Sequence, residues 1–163
     1  MTQPDRPQVM DPAQNPTLLR QAAQTGANWF YWIAGLSMVN AVILACGGRI
    51  SFIMGLSYTY FAVGFFSEFG QAGPALSLCG AAAISGIFAL IGYQAVHLKL
   101  WAWVTGILLY VSDGVIYYLL EDYWSTGFHG LALFFIISGW SCMNRLKKLE
   151  GGSVRTSPQV NEN

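Results

Sequence analysis

The sequence predicts an all-α, polytopic membrane helix bundle: four transmembrane helices plus a short re-entrant or interfacial apolar helix, with five transmembrane helices as the alternative. Three observations carry this expectation. Apolar residues make up 54% of the 163, charged residues only 10%, and mean hydropathy is +0.43, outside the range of an ordinary soluble domain. Between Gln21 and Asn144 the acidic and basic residues are Arg49, Glu68, Lys99, Asp113, Glu121 and Asp122, and only Asp113 sits well inside an apolar run. Pro4, Pro7, Pro12, Pro16 and Pro158 fall in the tails and Pro74 at the start of a run, so no run is interrupted by the residue that removes a helical hydrogen bond where no water can replace it.

Residues 1–27 are rich in Gln, Pro, Asp and Asn and read as a flexible polar tail. The bundle is expected over 28–144. Its first span, 28–45, opens on Trp29, Tyr31 and Trp32, whose rings suit the headgroup level, and Gly47 and Gly48 end it. The apolar segment 50–66 has only about 17 residues, the lower limit for a hydrocarbon core roughly 30 Å thick. Ser51, Gly55, Thr59 and Ala62 form a small-residue stripe on it, which favours close packing over crossing. The span 75–96 carries a similar stripe in Ala82, Ser85, Gly86, Ala89 and Gly92. Spans 101–120 and 127–143 follow, and 145–163 reads as a basic cytoplasmic tail.

Lys and Arg in short loops mark the cytoplasmic side. With four spans, Arg6, Arg20, Lys99, Arg145, Lys147, Lys148 and Arg155 lie inside and only Arg49 outside. Five spans would move Arg6 and Arg20 outside and Arg49 inside. Both arrangements put the C-terminus in the cytoplasm and Glu121 and Asp122 outside.

A carboxylate well inside a span costs about 2.5 to 3.5 kcal/mol on insertion scales, so Asp113 is the leading candidate for a functional intramembrane site. Helical spacing puts Tyr110 and Tyr117 on its face, where two phenols are expected to donate to it. Asn40, at matching depth in the first span, is the expected pairing partner. Glu121, Asp122 and His129 form a separate polar cluster at the outer face, where a histidine beside acids can exchange protons. Two histidines give no basis for a metal site, no cofactor is expected, and a net charge of zero gives no electrostatic case for nucleic acid. Cys46, Cys79 and Cys142 show no paired spacing; free thiols are the default, although Cys46 and Cys79 both approach the outer surface and can be drawn as a disulfide.

Two resemblances bear on function. The run Ala83-Ile84-Ser85-Gly86 through Gly92 resembles the serine-bearing helix of rhomboid intramembrane proteases, and Gly127-Phe128-His129-Gly130-Leu131-Ala132 resembles their histidine helix, which would imply Ser85 and His129 as a catalytic pair. Over more of its length the chain is similar to a family of small uncharacterised bacterial multi-pass membrane proteins. That likeness rests on Trp29 through Ser37 and on the run from Trp103 through Tyr110, Asp113, Gly114, Asp122 and Trp124 to His129. It implies a bacterial inner membrane and no particular activity.

Three functions follow as expectations. The first is a non-enzymatic bundle that acts through helix contacts, as a homo-oligomer or an accessory subunit of a larger membrane complex, with the lipid bilayer as its surroundings. The second is transport of protons or a small solute through Asp113. The third is the serine protease.

Overall fold

The structure, a computed structural model, describes residues 15–48 and 55–155, the side chains of 152–155 excepted. Among these residues it is an all-α bundle of five helices: α1 (Pro16–Ala45), α2 (Ser57–Ser67), α3 (Gly73–Val96), α4 (Leu100–Leu119) and α5 (Tyr123–Arg155), with a 3-10 turn at Gly70–Ala72 before α3. All but α2 are long and apolar enough to cross a membrane. The eleven residues of α2 span about 16 Å at 1.5 Å per residue, half of what a crossing needs.

Each long helix starts and stops for local reasons. Asn15 opens α1 by accepting from the N–H groups of Thr17 and Leu18, and Pro16 occupies a first-turn position where no N–H partner is needed. The α3–α4 and α4–α5 turns share one construction. In the first, Lys99 N–H reaches back to Gln94 O and Leu98 N–H to Ala95 O; in the second, Asp122 N–H reaches Tyr117 O and Glu121 N–H reaches Tyr118 O. Both are Schellman closures, and each puts a residue other than glycine, Leu98 (φ 58°) or Glu121 (φ 61°), in the left-handed position. Trp103, fully buried, donates its indole N–H to Ala95 O at 3.1 Å and pins the α3–α4 hairpin.

The long helices run alternately up and down, α1 against α3 and α5, and α4 against α3 and α5. The first and last helices therefore close the bundle. They approach most closely at Gly26 and Gly139, where a Cβ on either would lie 2.6–2.7 Å from the other's Cα. Trp29 stacks on Phe135 (4.9 Å, 5°) one turn further along, and Arg20 pairs with Glu150 at 3.2 Å beyond the apolar spans.

Two boundaries differ from expectation. Helix α1 begins at Pro16 rather than near 28, so the second half of the expected polar tail is helical. Helix α5 continues to Arg155 instead of giving way to a tail at 145. The two extensions support each other: Ala23 and Gly26 lie against Gly139, and Met143 and Leu146 are fully buried. Helix packing there overrides the polar composition of 16–27. Residues 1–14, 50–54 and 156–163 of the expected tails and short segment lie outside the described residues.

Arg20, Lys99, Arg145, Lys147 and Lys148 gather at one end of the bundle, hereafter the basic end. Glu68, Glu121 and Asp122 mark the opposite, acidic end. Helix α2 begins inside the bundle and rises toward the acidic end, with Leu56, Ser57 and Thr59 almost wholly buried. It packs on α3, where Ser77 Oγ donates to Val63 O. Among the described residues it is the short apolar helix, re-entrant or interfacial, that the sequence anticipates within 50–66.

Candidate functional site

A helix that starts inside an apolar bundle brings its unsatisfied N–H groups with it, and they must find acceptors there. The start of α2 is met from three sides. Leu56 N–H donates to Ser37 Oγ of α1 (2.9 Å), and Ser37 in turn donates to Ile33 O (2.7 Å). Tyr117 of α4 donates its hydroxyl to Gly55 O (3.0 Å). Asp113 of α4 meets it as well: its Oδ1 accepts from Ser57 Oγ (2.6 Å) and from Tyr58 N–H (3.3 Å). The N-cap of α2 is Leu56, which has no capping side chain, so Asp113 acts as its cap from 55 residues away. The positive end of the α2 dipole thus rests on a buried carboxylate.

The second oxygen, Asp113 Oδ2, lies 2.8 Å from His129 Nε2 of α5. Both side chains are closed to solvent, at 0% and 2%. The other ring nitrogen, Nδ1, is 2.8 Å from Ser125 O. A carbonyl only accepts, so Nδ1 must carry a proton, and a single further proton lies between Nε2 and Oδ2. The pair is then either imidazolium and carboxylate or imidazole and carboxylic acid, and it is neutral overall in both. Tyr110 stacks on the imidazole (4.6 Å, 19°) and Tyr117 tilts against it at 5.0 Å.

The network continues to the acidic end. Asp122 caps α5 by accepting from Ser125 N–H (3.1 Å) and Ser125 Oγ (2.6 Å). The Ser125 hydroxyl is the main cause that holds the Asp122 carboxyl below its ordinary value; partial burial works against it, and the Ser125 and Trp124 N–H groups and the nearby His129 add to the lowering. Beside this chain of groups lies a cavity of about 230 Å³, lined by Asn40, Ser57, Tyr60, Phe61, Tyr117, Leu120, Asp122 and Ser125. Gly55 faces Asn40 so closely that a Cβ there would collide with the amide nitrogen.

Several expected pairings differ from this arrangement. Asp113 bonds to Ser57, Tyr58 and His129 rather than to Asn40, which instead packs on Gly55 at the cavity wall. Neither phenol donates to Asp113: Tyr117 is committed to Gly55 O, and Tyr110 Oη is buried without a hydrogen-bond partner. Their rings serve the imidazole instead. The outer cluster divides, because Asp122 caps α5, Glu121 occupies the left-handed turn position with its side chain exposed, and His129 turns inward.

Ser85 and His129 are not brought together. Ser85 Oγ is buried without a hydrogen-bond partner, and both imidazole nitrogens are engaged elsewhere. Ser85 lies twelve residues into α3 and His129 six into α5, which separates them by about 9 Å in depth at 1.5 Å per residue. His97 sits at the basic end with Nδ1 against Tyr93 O (2.7 Å), and the three thiols are free. Among the described residues no three His, Cys, Asp or Glu side chains converge on a point that would hold a metal ion.

The partner that sequence reading overlooked for Asp113 is His129, and a signal for it exists. Asp113 stands eight residues before Glu121 and His129 eight after it. In an antiparallel hairpin turning at Glu121, equal spacing means equal depth, about 12 Å at 1.5 Å per residue.

No family model, no curated protein and no solved structure matches the chain. What can be stated of its class comes from its own geometry: an all-α helical bundle with four helices long and apolar enough to cross a membrane.

Proposed function

We propose that the chain is a small membrane transporter of protons or a proton-linked solute, centred on the Asp113–His129 pair. The observation that carries this reading is the 2.8 Å contact between two titratable groups that are almost wholly buried, with one exchangeable proton between them. A purely structural clamp needs no titratable partner. Capping α2 could be done by Asn or Ser, without the cost of bringing a charge into the bundle. The cavity beside Ser57 supplies a route from the acidic end to within one hydrogen bond of Asp113 Oδ1.

The test is proton flux into vesicles reconstituted with purified protein and loaded with a pH-sensitive dye. Asp113→Asn keeps an oxygen for Ser57 and Tyr58 and offers an N–H to neutral imidazole, so it preserves the network while removing the shared proton. Flux should fall to the protein-free level in this variant. Equal flux in wild type and variant would sink the proposal.

The grouping of Arg20, Lys99, Arg145, Lys147 and Lys148 at one end supports a cytoplasmic location for that end and for the C-terminus. The resemblance of Trp29–Ser37 and Trp103–His129 to small bacterial multi-pass proteins is the basis on which a bacterial inner membrane is proposed.

A second reading, helix contacts with a further copy or another subunit, has its own observation. Among the described residues nothing lies within 4 Å of the position a Cβ would take on Gly35, Gly86, Gly127 or Gly130, so these small faces are not used by the described helices. Cross-linking in native membranes should then recover a defined oligomer or partner. A protein recovered only as a monomer would exclude this reading.

A further inference from the structure

We infer that the cavity between α1, α2, α4 and α5 is a binding site for a small organic cation of the alkylammonium class. The inference deepens the transport reading by naming what is carried; it rests on that reading for movement across the membrane, but not for binding.

Size comes first. At about 230 Å³ the cavity falls below the roughly 300–1,000 Å³ of pockets that hold drug-sized molecules. It suits a compact ion. The lining then selects the sign of charge. Tyr60, Phe61 and Tyr117 contribute three aromatic rings, and Tyr60 and Phe61 meet edge to face at 6.4 Å and 77°. Ring faces carry negative quadrupole charge and attract cations, most strongly those whose hydration is weak, as in alkylated ammonium ions.

Among the described residues no lysine or arginine lines the cavity, and the one acidic residue among them that does is Asp122. The Ser125 hydroxyl holds that carboxyl below its ordinary value, so it is ionised at neutral pH. The nearby Asp113–His129 pair is neutral as a unit. An anion would therefore meet an uncompensated carboxylate, whereas a cation would find its counter-ion at the acidic end and aromatic walls below it. Ser57, which lines the cavity and donates to Asp113 Oδ1, links the occupant to the titratable pair.

The discriminating experiment is calorimetric titration of the full chain in detergent micelles with choline and, separately, with its uncharged carbon isostere dimethylbutanol. Choline should bind at least tenfold more tightly than the isostere. Asp122→Asn retains the helix cap, since Asn caps as well as Asp, and should bring choline down to the affinity of the isostere. Phe61→Leu, at a half-exposed position, should weaken choline severalfold without altering thermal stability. Equal binding of the two probes, no binding of choline, or a folded Asp122→Asn variant with undiminished choline affinity would each overturn the inference. Proton flux that persists without choline binding removes the cation assignment alone. Choline binding without proton flux removes the transport reading alone.

Discussion

His129 Nε2 lies 2.8 Å from Asp113 Oδ2, and the opposite oxygen of the same carboxylate holds the first turn of α2. One buried side chain thus joins a titratable histidine on α5 to the start of the short helix α2. Changes at either partner should be felt at the other.

Removing one member of a buried hydrogen-bonded pair leaves the other without its partner, at about 1–3 kcal/mol and more where the stranded group is charged. His129→Ala and Asp113→Ala should each destabilise the protein by that order. The double variant should cost clearly less than the two losses added, because neither group is then left without its partner. Denaturant titration in mixed micelles checks this, and strict additivity would show that the pair is not energetically coupled.

Tyr110 makes the opposite case. Its ring stacks on His129, but its hydroxyl is buried without a partner, a condition that costs about 1–3 kcal/mol. Tyr110→Phe keeps the ring and removes the orphan group. Its thermal midpoint should equal or exceed that of wild type; a marked drop would reveal a hydrogen bond at Oη.

The crossing of α1 and α5 depends on two facing glycines. Gly139→Ala puts a Cβ against the Gly26 backbone and should destabilise by about 1–3 kcal/mol through overpacking. Gly130→Ala, on the same helix and with open space around it, should be neutral or slightly stabilising through helix propensity. Paired thermal unfolding of the two variants isolates packing from propensity.

These cases show what a sequence reader can and cannot reach. The apolar runs, their breaks at Gly47 and Lys99, and the shortness of the second apolar segment are set by local composition and are legible in the sequence. Asp113 was legible as well, since a lone carboxylate in an apolar run has few explanations. Of its partners, His129 is legible in depth only, from its equal spacing about Glu121, and Ser57 not at all, because both lie on other helices and tertiary packing alone fixes their rotation toward Asp113. Tyr110 and Tyr117 were placed on the correct face, but helical spacing says nothing about whether a ring or its hydroxyl makes the contact. The early start of α1 was hidden for a similar reason: Ala23 and Gly26 look unremarkable until Gly139 is seen beside them.

Asp122 has an acid signature. Its carboxyl is held low in the folded protein, so the stability it contributes is fully present above the ordinary carboxylate value and is lost as pH falls through the lowered one. Protection of the Trp124 and Ser125 amides, taken as exchange relative to the unstructured rate at the same pH, should therefore fall on strong acidification, below the ordinary carboxylate value of about 4. Asp122→Asn should abolish that step while retaining the cap.

Orientation is open to direct measurement. In a background free of Cys46, Cys79 and Cys142, single cysteines at Gln24 and Lys99 should react with impermeant reagent from the side of the C-terminus only. Those at Gly70 and Trp124 should react from the opposite side only. Labelling of Gln24 and Lys99 from different sides would contradict the alternating arrangement of the four long helices.

The Glu121 turn, with Asp113 and His129 equidistant from it, also bears on biogenesis. A carboxylate emerging in a nascent helix would face hydrocarbon alone until sixteen further residues had been synthesised and its histidine had arrived. The α4–α5 hairpin is accordingly the natural unit of membrane insertion, entering with its charges already matched. Helix α2, made earlier, lacks the Asp113 acceptor of its first turn until α4 is in place.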